Sequence, residues 1–426
     1  MSQPNPLPAP PQTIEDTGIG FLFLFELLTK TLFLNGQLRL LDLASHTKLT
    51  LGVLEPLLAF MRTEHLCEIS RQSATETAVN YKLTELGALR AQDFLKKSQY
   101  AGPAPVNLVD YTARVRAQSV LDSRITMQRI ADTFKGIVLK QGTLDLLGPA
   151  MNSGRAIFIY GPAGGGKTFI AEKLGHLFPD TIAIPYAILV DNEVVQVFDP
   201  LIHVPVPPSK NDLTLDRGVT HDQRWVSCQR PAVLTGGELT LKMLDLDFDE
   251  AARFYQAPPQ VKANNGLLVI DDLGRQLVTP QNLMNRWIVP LDRRVDYLAL
   301  HTGTKFMVPF DVTVIFSSNL SPATLADEAF LRRLGYKIYI GPMNEQDYQA
   351  IFKQVCADFG ITYVERSFNY LIHNLHYKKQ KPLLACLPRD LLGQIRDFAH
   401  YHEVEPKLSE EFLEMAWNNY FARDEF

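Results

Sequence analysis

Gly161-Pro162-Ala163-Gly164-Gly165-Gly166-Lys167-Thr168 satisfies every fixed position of the pattern G-x-x-x-x-G-K-[ST]. Residues of these types can grip a phosphate. Glycines let the backbone turn tightly enough for successive N–H groups to face one anion, and a helix starting behind them adds the positive end of its dipole. Lys167 then supplies a cation for the outer phosphates, and the Thr168 hydroxyl supplies a ligand for Mg²⁺. The flanks fit this use: Arg155 to Tyr160 is a short apolar β run, while Thr168, Phe169 and the residues to Leu174 read as the start of a helix. A glycine-rich turn that binds nothing needs neither the Lys-Thr pair nor those flanks.

Two further runs end in groups that could complete such a site. Leu267 to Ile270 is a short apolar run followed by Asp271 and Asp272, the pattern of a buried strand delivering carboxylates at its C-terminal end. Asp271 would hold the metal ion, and Asp272 would orient or deprotonate a water. Taken alone, an apolar run ending in two acids reads equally well as a surface turn. Its place about a hundred residues after a phosphate loop favours the strand that delivers carboxylates. Val312 to Ser318 is another apolar run, and it ends in the amide of Asn319.

With these motifs in order, residues 127 to 426 resemble an AAA+ ATPase. The resemblance implies ATP or ADP with Mg²⁺ as the bound species, the adenine lying near Ile137 and Val138. It implies that Asn319 senses the γ-phosphate. Asp327 to Lys337 is similar to the family segment that carries an arginine finger, so Arg332 or Arg333 would act on the nucleotide of a neighbouring subunit. The spacing leaves open which one. Leu387-Pro388-Arg389 opens a helix and resembles the family's second sensor, in which Arg389 touches the nucleotide from a small helical lid. A shared active site implies a ring or helical homo-oligomer, most often a hexamer.

The chain departs from the family pattern in two places. Most members carry Asp-Glu where this chain has Asp271-Asp272. Aspartate is one methylene shorter, and errors near 1 Å can cost on the order of a hundredfold in rate. Slow hydrolysis, or a switch in place of a motor, is thus an open alternative. The second departure is extra sequence at about 186–265 and 296–308, the latter patterned as a β-hairpin around Gly303. Such inserts resemble the MoxR-type branch with helix-2 and pre-sensor insertions, and imply contact with a protein client; bracing of the subunit is the alternative. The whole is also similar to bacterial ATPases described as chaperone-like and linked to pilus assembly.

The elements that must position these residues divide the 426 residues into several parts. The fold class expected is α/β: a core over 127–341 and a helical lid over 342–426, with Thr181 to Pro185 as the core's second strand. Residues 1–15 are proline-rich and expected to be disordered. Residues 16–98 carry helical runs at Phe21 to Phe33, Gln37 to His46 and Leu51 to Thr63. Two β runs around a polar stretch, Arg71 to Val79, and a last helix follow, an order that resembles a winged helix-turn-helix. A linker is expected over 99–126. Residues 1–100 hold nine Lys and Arg against ten Asp and Glu, and Leu51 to Thr63 has Arg62 as its only basic residue. Replacing counterions on DNA needs more cations than that, so protein docking fits this module better than DNA reading.

Composition narrows the function classes. A net charge of −5 and a pI near 6.1 give no global attraction to nucleic acid. The most apolar stretch, Ile19 to Phe25, meets Glu26 and Lys30 long before the ~20 residues a membrane span needs. No export signal is visible, and the four cysteines lie far apart without metal-ligand spacing. A cytoplasmic protein is expected.

Overall fold

The computed structural model describes residues 7–70, 79–207, 221–325 and 328–421. Most of the polar stretch Arg71 to Val79, and Asp327, fall outside the described residues. The chain divides into two compact units: one comprises Met1–Arg124, Phe178–Leu268 and Leu277–Val314, the other Ile125–Leu177, Val269–Gln276 and Ile315–Phe426.

In the first unit, helices Phe21–Asn35, Leu40–Thr47, Leu51–Thr63 and Glu85–Lys97 accompany a three-stranded antiparallel sheet, in which Asn80–Leu83 lies between Leu38–Arg39 and Cys67–Ser70. Local chemistry sets the last helix: the Thr84 hydroxyl accepts from the Gly87 N–H at its start, and Lys96 and Lys97 sit at the negative end of its dipole. Leu24, Leu28, Leu54 and Leu57 are fully buried between the helices. Ala187 and Val194 belong to the same core.

Sharing that core changes the expected domain plan. Residues 99–124, expected as a linker, are built into the unit. Val106–Asn107 pairs in parallel with Ala187–Val190, Gln99 N–H donates to the Ala252 carbonyl, and Asn107 caps helix Leu108–Ala117. The prolines in this stretch alternate with residues that bury well, Tyr100, Ala104 and Val106. Residues 7–14 of the expected disordered tail are also held. Thr50 Oγ1 donates to the Pro11 carbonyl and Asp222 N–H to that of Pro8, since prolines offer acceptors but no donor.

The long insert is β structure. Ala187–Val190 and Glu193–Gln196 form a hairpin, Phe254–Gln256 joins it in parallel, and Asp247–Asp249 adds an edge. Thr181–Pro185, expected in the nucleotide-binding sheet, pairs antiparallel with Trp225–Gln229 in this unit instead. Its apolar side chains pack with Val195, Trp225 and Tyr255, a core that the run of alternating residues does not announce. Buried pairs stitch the insert: Arg230 binds Asp180 at 2.6 Å and also donates to the carbonyls of Gln118 and Asn265. Val295–Ala299 and Lys305–Pro309 run antiparallel, and His301 at their turn stacks on Phe248.

Strands Leu267–Ile270, Thr313–Ser318, Ala156–Tyr160 and Leu334–Tyr339 lie in that order within one sheet. The last three pair in parallel, with Ile315 opposite Ile157 and Ile338 opposite Ile159. Their near-continuous apolar runs suit strands covered on both faces. Residues beyond Gly341 form helices Glu345–Asp358, Glu365–Tyr370, Leu387–Tyr401 and Glu410–Tyr420, with a π-helical stretch at Leu371–Tyr377. They enclose their own core of Tyr348, Phe352, Phe368, Leu391 and Trp417. Asn344 and Ser409 cap two of these helices through their side chains.

His376 is fully buried in this core. Its Nδ1 faces the Lys381 carbonyl at 3.2 Å and therefore carries the proton, while Nε2 accepts from the Tyr348 hydroxyl at 3.0 Å. Burial drives its pKa down to about 4, against the opposing pull of the Lys381 and Pro382 carbonyls. Between the unfolded value near 6.5 and about 4, the unfolded chain binds a proton that the native chain does not, so stability falls as pH drops through that window. In urea titrations, the advantage of wild type over His376→Gln should shrink as pH falls from 6.5 to 4. A difference that stays constant with pH would contradict this assignment.

Candidate active site

Strand Ala156–Tyr160 ends at Gly161, and the loop that follows turns into helix Lys167–Gly175. Gly161 has φ +145°, and a Cβ there would lie 2.0 Å from the Ile340 carbonyl oxygen. Only glycine lets the loop fold back so close to the end of the neighbouring strand. Gly164 has φ +76°, and a Cβ would lie 2.5 Å from Cys386 Sγ. The loop residues Ala163 to Gly166 and the start of the helix, Lys167 to Ile170, border a cleft of about 600 Å³.

The side chains expected to act converge at the floor of this cleft. Lys167 is buried, and its Nζ donates to Asn319 Oδ1 at 2.7 Å and to the carbonyls of Gly161 and Pro162 at 3.1 and 2.9 Å. Burial lowers its pKa, the carboxylates of Asp271 and Asp272 raise it, and the Arg275 guanidinium lowers it further. Thr168 Oγ1 donates to Asp271 Oδ2 at 2.6 Å. Asp271 Oδ1 accepts from the N–H of Asp272, whose backbone sits at φ +49°. Asn319 Nδ2 approaches Asp272 Oδ1 at 3.4 Å.

Other expected residues line the walls. Ala163, Gly164, Gly165, Gly166 and Phe169 border the cleft, whereas Gly161 and Pro162 are not among its lining residues. Ile137 and Val138 line it together with Ile351 and Val355, an apolar slot that suits a planar base. Arg389 lines it as well, near the head of its helix, with Nη2 3.9 Å from Asp358 Oδ2 and its guanidinium over the Phe359 ring. Arg332 and Arg333 are not among the lining residues. Arg332 is exposed and paired with Glu328 at 2.8 Å.

Hard oxygen donors at Thr168 and Asp271 suit Mg²⁺, and their side-chain oxygens already meet. Two ligands are too few for a closed cage. An ion held there would complete its shell with phosphate oxygens and water.

Two lining groups, Cys386 and Arg275, and one buried amide behind them, Gln276, were given no role by the sequence reading. Cys386, one of the four widely spaced cysteines, borders the cleft, and its N–H donates to the Gly164 carbonyl. Gln276 Nε2 donates to the Asp271 carbonyl, and Arg275 lies beside Asp272. Gly274-Arg275-Gln276 is conspicuous in the sequence as a polar turn, but nothing in it says which way each side chain faces.

The loop geometry has a measurable consequence. Gly166 has φ +87° with open space where a Cβ would go, so Gly166→Ala should cost about 1 kcal/mol for its left-handed conformation. Gly161→Ala adds a clash with backbone and should cost roughly 3 kcal/mol. Chemical denaturation of both variants checks the order; equal costs would contradict the close packing at Ile340.

A protein-family profile described as a domain of unknown function (DUF8689) matches residues 344–419, the C-terminal helices. A search of curated proteins finds no match. Solved structures similar to the chain include NtrX from Brucella abortus in complex with ADP, at 13% identity and a TM-score of 0.41, covering 67% of this chain and 56% of that one. The chain thus spans little more than half the length of NtrX. Another is the Thermotoga maritima RuvB Holliday junction branch migration motor, at 9% identity and a TM-score of 0.38, covering 66% of this chain and 70% of that one. Superposition at these scores is loose, and the chemistry of the cleft stands on its own side chains.

Proposed function

We propose that the chain is an AAA+ ATPase that binds ATP with Mg²⁺ in the cleft, hydrolyses it in a homo-oligomer, and uses the cycle to remodel or assemble a protein client. The observation that carries this reading is the convergence of Lys167, Thr168, Asp271 and Asn319 through hydrogen bonds of 2.6 and 2.7 Å at the mouth of a glycine loop.

In this reading the loop N–H groups and Lys167 hold the phosphates, with Lys167 exchanging its carbonyl and amide acceptors for phosphate oxygens. Thr168 and Asp271 would hold Mg²⁺, which would supply positive charge to offset that of the phosphates. Asp272 accepts a hydrogen bond from the attacking water and takes its proton. The water oxygen bonds to the γ-phosphorus as the bond to the β-phosphate oxygen breaks, and Asn319 fixes the water and the γ-phosphate. The exposed position of Arg332 supports a role for it or Arg333 toward a neighbouring subunit, and Arg389 would report the nucleotide to the C-terminal helices.

The N-terminal helices and sheet read as a winged helix that docks protein. Two observations favour this over DNA. Few cations lie on Leu51–Thr63, and its start is covered: a Cβ at Gly52 would meet the Gln12 carbonyl at 2.3 Å. A slow switch is the second reading of the cycle, favoured by the short carboxylate of Asp272 and its long 3.4 Å approach to Asn319.

Steady-state hydrolysis tests these readings. Lys167→Ala and Asp271→Asn should lower ATP turnover at least about a hundredfold. Asp272→Glu should raise it about tenfold if reach limits the rate. Calorimetry that detects uptake of neither ATP nor ADP by the folded chain overturns the proposal.

A further inference from the structure

Asp271 and Asp272 lead into a turn whose construction exceeds what leaving a sheet requires. Arg275 N–H donates to the Asp272 carbonyl at 2.9 Å, with φ +49° at Asp272 and +107° at Gly274. The turn is pinned to the strand bearing Asn319: Leu273 N–H donates to the Ser317 carbonyl at 2.8 Å, and Ser318 Oγ donates to that of Leu273 at 2.6 Å. Gln276, a buried amide, closes it from inside, donating to the Asp271 carbonyl at 3.0 Å and accepting from Gly274 N–H at 2.9 Å. The result is a rigid bracket that puts one cation, Arg275, on the wall of the cleft, with Nη1 3.8 Å from Asp272 Oδ2.

A contact of that length between two exposed groups adds little to stability, so the bracket is not explained by the ion pair it makes. Position explains it better. Asp272 must lie near the terminal phosphate if it is to act on a water that attacks there. A cation beside Asp272 therefore lies near the γ-phosphate and away from a diphosphate. Guanidinium is the group suited to grip two oxygens of a phosphate at once.

We propose that Arg275 is a ligand for the γ-phosphate within its own subunit, resting against Asp272 when the triphosphate is absent and releasing that carboxylate to the water when it is present. Gln276 is the positioning residue that holds the bracket. This inference rests on the nucleotide reading above, and it adds a specific consequence: Arg275 distinguishes ATP from ADP.

Calorimetry with ADP and with a non-hydrolysable ATP analogue, on the full chain, tests it. Arg275→Ala should weaken the analogue about tenfold or more while leaving ADP within about twofold, the loss expected for one charge-assisted contact. Gln276→Leu should shift the same ratio in the same direction with Arg275 intact, an effect that a purely structural glutamine, weakening both nucleotides alike, would not produce. If the analogue and ADP change equally in Arg275→Ala, or neither changes, the inference is overturned and the ATPase reading stands. If wild type binds neither nucleotide, both are overturned.

Discussion

The hydrogen bond from the Thr168 hydroxyl to Asp271 joins chain segments 103 residues apart, and the rest of the cleft is arranged around it. It can form only if the phosphate loop turns back over the end of its strand while the acidic strand ends level with it. Gly161 secures the first condition by its contact with Ile340, and the apolar run Leu267–Ile270, buried throughout, secures the second. Asn319 is then fixed by the register of Thr313–Ser318 against Ala156–Tyr160, where Ser318 lies opposite Tyr160. One polar contact is thus supported by three buried strands, two of them almost wholly apolar and the third, Thr313–Ser318, carrying the hydroxyl of Ser318 that ties it to Leu273.

Electrostatics in this arrangement favours an anion over a neutral ligand. Lys167 is a buried cation whose near partners are two carbonyls and an amide oxygen, all neutral, with carboxylates further off. Burying a charge among neutral acceptors is costly compared with water or a formal counter-charge. A phosphate would remove that cost while meeting the loop N–H groups, so part of the binding energy is stored in the loop before any ligand arrives. The same logic applies to Asp272, whose left-handed backbone is sustained by the bracket that follows it.

Much of this was legible in the sequence because phosphate chemistry tolerates few substitutes. The loop, Asp271, Asp272 and Asn319 each end an apolar β run, and residue type at a strand end is a local property. Arg389, which the sequence offers only through its resemblance to a family sensor, lines the same cleft. The misreadings were non-local. Thr181–Pro185 is apolar and β-branched enough for any sheet, and only its pairing with Trp225–Gln229 decides which. Residues 99–124 carry the prolines of a linker, yet Tyr100, Ala104 and Val106 find a core supplied largely by the N-terminal helices and by residues from 187 onward. Composition reports what a segment could bury, not whether a partner exists. Cys386 was invisible for the opposite reason: a thiol is unremarkable until the loop it touches is known.

That contact also explains how the C-terminal helices could read the state of the loop. Cys386 N–H donates to the Gly164 carbonyl, and the space a Gly164 side chain would occupy is filled by Cys386 Sγ. The head of helix Leu387–Tyr401 is therefore attached to the phosphate loop through backbone, without an intervening flexible side chain. Arg389 lies three residues further on, against Asp358 of the adjoining helix. A shift of the loop as phosphates enter or leave would move the helix start directly, and Arg389 with it. The helices beyond share one buried core, including Tyr348, Leu391 and Trp417, and close packing of that kind favours movement of the helices together over local give.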